Sequence, residues 1–596
     1  MNYTGIGAGT LKVTDYVIFV ATVLCSFLIG LFFALWERKK NHNNPEEYFL
    51  AGRKSRLLPV TLSFIVTFQS SIIMLGYPAE VYLYGAIYVY YMISIVISFT
   101  FTAFFIVPVF YPLKLTTVYE YLNLRYGDNV LRYVTMAMGI FYNVFYMSSV
   151  TYGTCVALDV VMGLPYWATI VIYTSVTTIY TSIGGIKAVI WTDVFQFVIM
   201  TTGILAVIIK GIIEVGGISQ VHKYSESRMN FNQFGLDPRI RYTFWNLGVT
   251  SVPMWLYTGY MQPAMQRVYS TPDVTTARNM YLISAPVYIL ICIGTIFEGL
   301  VIFAYYTSKG CDIYNGGIIN NINQLVPYTV LELFGDLPGL PGLFIAALSS
   351  AAFSTLSSCL SSLSAIAYED IIKVRNPNIG AQVATNLSRL VTILFGLIAL
   401  AVTFLVSNIP GSVISLYASF VACMDGPTCA IFMLSAFSRR VTTKGVLFGA
   451  TCGMAIPLWL NLGKLFSDIP ADTSLPAGPT DTCSSASNFT SLASVTPNEY
   501  STVTYMPYDE TSTAFVHATH SLSGMQEFYR VSYMYYSFIG FTISFVVGFL
   551  ASLCCEAPKR VDNRCLFEFR KHVLGKQSDT MNEETIAKVN EEEALM

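Results

Sequence analysis

The sequence predicts an all-α polytopic membrane protein: thirteen transmembrane helices with a five-plus-five inverted-repeat core, the N-terminus outside and the C-terminus inside. Three observations carry that expectation. Of 596 residues, 54% are hydrophobic and only 12% charged, against about 25% charged in globular chains; mean hydropathy is +0.55. Thirteen stretches are long and apolar enough to cross a bilayer. Two of them, five spans apart, are interrupted by Gly and Pro and carry polar residues, which is the pattern of paired broken helices in a transporter core. Because five is odd, the second set runs inverted relative to the first.

Met1–Thr14 is short and polar without a basic start, so no cleavable leader is expected. The first span, Thr14–Trp36, belongs with a segment at residues 1–57. Leu58–Tyr77, Ala86–Tyr111, Tyr133–Val161, Tyr166–Ile183 and Ala188–Ile213 form the first repeat, residues 58–240 with its outer loop. Phe244–Pro263, Tyr281–Tyr306, Gly342–Ala367, Leu390–Val406 and Val413–Phe437 form the second, residues 241–440. Gly445–Leu462 and Tyr533–Leu553 close the membrane part, residues 441–555, around a long loop at 463–532. The charged tail, residues 556–596, reads as a cytosolic disordered segment.

Orientation follows from the loops. Lys and Arg cluster after every odd span up to the eleventh: Arg38 and Arg53 after the first, Arg125 after the third, Lys187 after the fifth, Arg267 and Arg278 after the seventh. Lys373 and Arg439 continue the series, while the loops near Tyr82–Gly85, Gly163–Pro165 and Ser407–Gly411 have none. The positive-inside rule then puts the N-terminus outside. Glycosylation sequons at Asn2 and Asn488 fall on the same outer side. Of twelve Cys, most sit in apolar runs and none has zinc-like spacing. Cys311 and Cys483 lie in outer polar loops, where disulfides persist, and are expected to pair.

The chain is organised around Gly342–Ile372. At 100° per residue, Ser350, Ser354, Ser357, Ser361 and Ser364 share one stripe, with Thr355, Ser358 and Ser362 beside it. Phe353, Leu356, Leu360 and Leu363 fill the other side. Two readings are open for such a helix: close packing through small residues, or lining something polar. The second span carries Thr67, Gln69, Ser70 and Ser71 ahead of Gly76 and Pro78; the seventh carries Pro253, Thr258, Gly259, Gln262 and Pro263. Unwound backbone there offers carbonyls to a cation and helix ends to an anion.

Several strings resemble one family, the sodium/solute symporters: TFQSSIIMLGYPAEVYLYG (Thr67–Gly85), TTVYEYLNLRYG (Thr116–Gly127), GGIKAVIWTDVFQ (Gly184–Gln196), QRVYS (Gln266–Ser270) and LPGLPGLF (Leu337–Phe344). The resemblance runs in order from about Asp15 to Phe437, and RVSYMYYSFIG (Arg530–Gly540) extends it. It is closest to the branch for monocarboxylates, iodide and vitamins. It implies a LeuT-like inverted-repeat fold and transport driven by inward sodium at the plasma membrane. Matched by position, the family's sodium ligands fall on the hydroxyls of Ser354 and Thr355 and the carbonyls of Val66, Gln69 and Ala351. Oxygen ligands suit this hard cation. Asp193 matches a family acid, with an implied role in receiving the ion on exit; a capping acid at a helix start is the alternative.

The chain also departs from the family. Met261-Gln262 replaces Asn-Gln, Ile73 stands where a polar residue is common, Glu298 sits inside the eighth span, and Asp425-Gly426-Pro427 interrupts the eleventh. With Phe68 and Ser70, these residues surround the expected substrate path. For Asp425, with no basic partner in any core span, three readings are open: a hydrogen-bonded neutral acid, a second cation site, or recognition of a cationic substrate.

The functional expectation is a sodium-coupled symporter for a small organic anion of the monocarboxylate kind. Alternatives are a vitamin, iodide or cationic-solute carrier, and a non-concentrating sensor or channel of the same fold. Sodium, a small solute and the bilayer are the expected partners. An enzyme is not expected, because no nucleophile–base or metal constellation is present and the five His are scattered. The net charge of -2 says nothing about nucleic acid, but no basic tract or phosphate-cradling loop appears, so nucleic acid is not an expected partner.

Overall fold

The computed structural model describes residues 11–39, 45–408, 413–467, 469, 472–483, 524–556 and 561–567. Both sequons, at Asn2 and Asn488, lie outside them. Helix α1 spans Val13–Lys39. Helices α2 (Leu57–Phe68) and α3 (Ser71–Tyr84) form one apolar stretch bent by 54°. The bend falls at Gln69, whose φ of -81° and ψ of 73° leave the helical region. Helices α4 (Ala86–Leu113), α5 (Asn129–Met162) and α6 (Tyr166–Val215) follow.

At 50 residues, α6 is about 75 Å long if straight, far more than a bilayer needs. It breaks at Gly185, at φ 62° and ψ -174°. A side chain there meets two obstacles, the positive φ and the carbonyl and ring of Tyr48, 2.9 Å from an added Cβ. The next apolar stretch is divided more finely, into Phe244–Gly248, α7 (Val252–Tyr257) and α8 (Gln262–Ser270). Then come α9 (Val274–Ser308), α10 (Leu325–Phe334), α11 (Leu340–Ile366), α12 (Ala381–Val406), α13 (Val413–Phe437), α14 (Thr443–Phe466) and α15 (Tyr536–Leu553).

Among the described residues, ten helices are long and apolar enough to cross a membrane, or eleven with the bent α2–α3 pair. That is fewer than the thirteen stretches expected, for two reasons. The fifth and sixth stretches are two helices joined directly at the Gly185 break, so that they count once as α6, and the pieces around α7 and α8 are each too short.

Helix α11 is the central post. Its apolar window is 94% buried, against 11% for α1 and 28% for α12, which face outward. It packs on α1, α5, α6 and α12, and its small residues permit that crowding. Asp15 of α1 accepts the N–H groups of Gly339 and Gly342 at 2.8 and 3.2 Å, satisfying donors at the start of α11. On the far side, α13 meets α15 so closely that a Cβ on Gly426 would lie 2.1 Å from the Ser537 carbonyl oxygen.

Two latches tie the loops down. Cys311 and Cys483 form a disulfide with 4.8 Å between Cα atoms, joining the loop after α9 to the loop after α14. Beside it, Asp312 accepts the Tyr82 hydroxyl at 2.8 Å and the Gly478 N–H at 2.9 Å. Burial alone raises such a carboxyl, but the amide donors of Asn315 and Gly478 hold it below the usual range. At the opposite end Arg132 pairs with Asp370 at 2.6 Å. There Arg125 also donates to the Ser435 and Ser438 carbonyls where α13 ends.

Candidate functional site

A helix leaves its last carbonyls without intrahelical partners, and α2 ends against α11. The Thr67 carbonyl accepts from the Thr355 hydroxyl at 3.1 Å, and the Phe68 carbonyl accepts from Tyr288 at 3.3 Å. Thr355 Oγ1 is also 3.2 Å from the Ala351 carbonyl, one turn back on α11. The hydroxyl therefore straddles the broken end of α2 and its own helix. Val66 and Gln69 are buried at the same junction, and the Gln69 amide finds no hydrogen-bond partner among the described residues.

Ser354 turns the other way. Its hydroxyl donates to Asp193 Oδ1 at 2.6 Å. The second oxygen, Oδ2, accepts from Ser63 Oγ at 2.6 Å and from Arg267 Nη2 at 2.9 Å. Arg267 also reaches Ser358 Oγ at 2.7 Å, Ser63 Oγ at 2.8 Å and the Pro263 carbonyl at 2.8 Å. Thr67 Oγ1 closes the circuit, 3.1 Å from Ser358 Oγ. Four helices, α2, α6, α8 and α11, thus meet in one polar knot.

Two sequence expectations change here. Asp193 lies in the interior of α6, so it does not cap a helix start. Arg267, counted as a loop cation after the seventh stretch, is fully buried in α8. The break between α7 and α8 turns this short helix inward, and a buried guanidinium requires a partner. Thr67 and Ser358 belong to the polar residues that the sequence marks in the second span and beside the hydroxyl stripe, whereas the sequence gives Ser63 no role and Arg267 only that of a loop charge. The one available signal was Asp193 itself, a carboxylate inside an apolar stretch that needed a counter-charge.

Beside the knot, a cavity lies between the two breaks. The α2–α3 break contributes Phe68, Ser70 and Ile73, and the α7–α8 region contributes Met254, Trp255 and Thr258. Seven tyrosines complete most of the wall, and among the described residues no Asp, Glu, Lys or Arg lines it. Tyr288 and Tyr146 connect cavity and knot, since Tyr288 holds the Phe68 carbonyl and Tyr146 lies within reach of Ser70 and Thr355.

Four residues expected on the substrate path are not on this wall. Met261 is buried at the start of α8. Gln262 accepts the Val118 N–H and donates to the Thr116 carbonyl, both at 2.9 Å, and so anchors the turn after α4. Glu298 is buried in α9 with both oxygens unpartnered among the described residues. Asp425 is fully buried in α13; Oδ1 accepts the Gly426 N–H, and the Ser537 hydroxyl lies beside the carboxyl, with no cation paired to it among the described residues. It is nonetheless within electrostatic range of Tyr91, Tyr142 and Tyr417, which do line the cavity.

Toward the C-terminal end of α3, the cavity is roofed by a second ion cluster. Arg241 pairs with Glu80 at 2.9 Å and Asp472 at 2.7 Å, and its guanidinium lies over the rings of Tyr84, Tyr242 and Tyr533. Tyr242 donates to Glu80 at 2.7 Å and stacks edge-on with Tyr88 of the cavity wall. Nothing in the sequence spacing connects these residues.

Residues 48–453 match the family model described as the sodium:solute symporter family. The chain is 35% identical to sodium-coupled monocarboxylate transporter 2 of Mus musculus, across 78% of this chain and 74% of the relative. It is 33% identical to the sodium/iodide cotransporter of Homo sapiens, across 92% of this chain and 84% of the relative. Among solved structures, a Na+-coupled sialic acid symporter in a substrate-bound outward-open state shares the fold, with a TM-score of 0.71 and 20% identity. That likeness covers 92% of this chain and 100% of the other.

Proposed function

This chain belongs to the sodium:solute symporter family, and from that premise we propose that its solute is a small organic anion of the monocarboxylate kind. The protein is a sodium-coupled symporter of the plasma membrane, and sodium is its coupling ion. The monocarboxylate assignment is supported by the 35% identity to a relative named for that substrate.

One observation carries the ion site. The hydroxyl of Thr355 sits between the carbonyls of Thr67 and Ala351, where a broken helix meets an unbroken one. The Thr355 hydroxyl and the Ala351 carbonyl, together with the Ser354 hydroxyl and the carbonyls of Val66 and Gln69, are five neutral oxygens that suit a hard cation. Neutral ligands bind sodium weakly enough to release it. Asp193, already neutralised by Arg267, attracts the ion on its way out without trapping it. Phe68, Ser70 and Ile73 receive the solute at the first break.

The proposed architecture has thirteen spans, with α6 crossing twice about Gly185 and the α7–α8 region crossing once. Residues 58–240 and 241–440 are then inverted halves, the N-terminus is outside and the C-terminus inside. Glycan at Asn488 and an epitope at Met596 reached only after permeabilisation are the expected results. The disulfide between Cys311 and Cys483 belongs to the outer face in this orientation.

The test is uptake of labelled monocarboxylates into cells expressing the full chain, with sodium or with choline replacing it. Accumulation above the bath concentration only with sodium is the expected outcome. Sodium-independent equilibration would assign a channel or sensor instead.

A further inference from the structure

We propose that the cavity selects monocarboxylates that also bear a quaternary ammonium group, with the carboxylate at the α2–α3 break and the ammonium in the tyrosine box beside Asp425. This rests on the monocarboxylate reading and narrows it.

The box is continuous. Tyr77, Tyr88, Tyr91, Trp255 and Tyr288 contact one another in sequence, with ring centroids 4.8, 5.2, 5.6 and 5.4 Å apart. Opposite them, Tyr146 lies 5.0 Å from Tyr417, whose hydroxyl is 3.0 Å from that of Tyr142. All of these rings line the cavity. A quaternary ammonium has no N–H to donate and is held by ring faces rather than by hydrogen-bond acceptors. Among the described residues no Lys or Arg lines the wall to repel it.

Asp425 supplies the second, independent observation. It is fully buried, its polar neighbours are the Gly426 N–H and the Ser537 hydroxyl, no cation pairs with it among the described residues, and three tyrosines of the box lie within its electrostatic range. A buried carboxylate without a counter-charge is costly. A simple acid would place its own negative charge in the same region and an apolar tail near Asp425. A zwitterion matches the site better, because the charges then alternate: sodium at Ser354 and Thr355, carboxylate at Ser70, ammonium in the box, carboxylate at Asp425. Tyr146, within reach of both Ser70 and Thr355, keeps the first two close.

Three labelled probes test this in cells expressing the full chain in sodium medium. They are trimethylammonioacetate, 3,3-dimethylbutyrate (the same shape without the positive charge) and choline (the ammonium without the carboxylate). The expected result is at least tenfold tighter half-saturation for trimethylammonioacetate than for dimethylbutyrate, with choline not carried. Asp425→Asn should reduce that preference at least tenfold, and Tyr91→Leu should reduce it too, both compared at equal surface level. If Asp425→Asn does not reach the surface, Tyr91→Leu decides. Equal or better uptake of dimethylbutyrate overturns the proposal and leaves the monocarboxylate reading standing. Choline carried in preference to both acids overturns both; none of the three carried, with a simple labelled monocarboxylate still accumulated, overturns this proposal alone. A preference unchanged in the variants overturns the role of the box and of Asp425.

Discussion

Thr355→Val isolates the proposed ion site. Valine keeps the branched shape and the volume, so packing in α11 changes little, while the only oxygen of the side chain is lost. That oxygen is one of five proposed ligands and lies 3.1 Å from the Thr67 carbonyl and 3.2 Å from that of Ala351. Loss of one such interaction is worth about 1–3 kcal/mol, or roughly a 5- to 100-fold weaker ion site. Ser354 is a poorer choice, because removing its hydroxyl also strips a donor from Asp193 Oδ1. Thr355→Ser, which restores the oxygen, should recover most of the affinity. The readout is the half-saturating sodium concentration for uptake, with surface biotinylation to show that the variants reach the membrane. Unchanged sodium activation in Thr355→Val would return the hydroxyl stripe of α11 to helix packing alone.

The remaining predictions concern charge and cross-links. Arg267→Gln breaks a fully buried pair and should cost about 3–5 kcal/mol, seen as a lower Tm of purified protein; adding Asp193→Asn should recover part of it, and no recovery would mean the two do not act as a pair. Cys311→Ser should lower Tm, since the disulfide spans 172 residues and closing so long a loop is worth roughly 2–5 kcal/mol; free thiols at both positions under non-reducing mass spectrometry would refute the bond. Glu298→Met should raise Tm, because an unpartnered buried carboxyl costs about 1–3 kcal/mol; a lower Tm would reveal a hidden partner. Acid should loosen the loop latches only late. Burial raises the Asp472 carboxyl, but Lys464 and Arg241 pull it below the usual range, as Asn315 and Gly478 do for Asp312. A depressed carboxylate contributes its stability above the ordinary value of about 3.9 and loses it as pH falls through the folded-state value. Hydrogen-exchange protection in residues 309–316 and 472–483, taken relative to the intrinsic rate at each pH, should therefore be unchanged from pH 7 to 5 and fall below about 4; a loss of protection above pH 5 would contradict this.

Much of the framework was legible because it is periodic or punctuated. Hydroxyls at three- and four-residue spacing marked the polar side of α11, and clustered Gly, Pro and polar residues marked both breaks. What sequence could not supply was orientation after a break. Arg267 follows an apolar stretch, so counting charges assigns it to a loop; only the short, inward-turned α8 reveals that it is buried. Gln262 failed for the same reason, since its side chain turns to the 116–118 backbone. The cavity was hidden for a different reason. Its tyrosines come from positions as distant as 77 and 417, and no one-dimensional spacing relates rings brought together by five helices. The division of α6 was legible, because Gly184-Gly185 reads as an interruption and the backbone does break at Gly185; what the sequence did not show is that the two halves join there without a loop.

The polar knot explains how a site of neutral oxygens can be prepared for an ion before the ion arrives. A serine hydroxyl has one proton and two lone pairs. With its proton given to Asp193, Ser354 has lone pairs left for a cation, and Asp193 makes that oxygen more basic, as an outer partner does for a metal ligand. Arg267 and Ser63 fix Asp193 in turn, so the carboxylate can orient Ser354 without turning toward the ion itself. The paired guanidinium also cancels most of the field that a bare carboxylate would exert. Thr355 is arranged differently: its single proton can serve the Thr67 or the Ala351 carbonyl, not both at once. Sodium arriving between α2 and α11 would draw one of those carbonyls and leave the proton on the other. The ion thereby exchanges one weak contact across the helix junction for a stronger one, and that difference couples its binding to the position of α2 against α11.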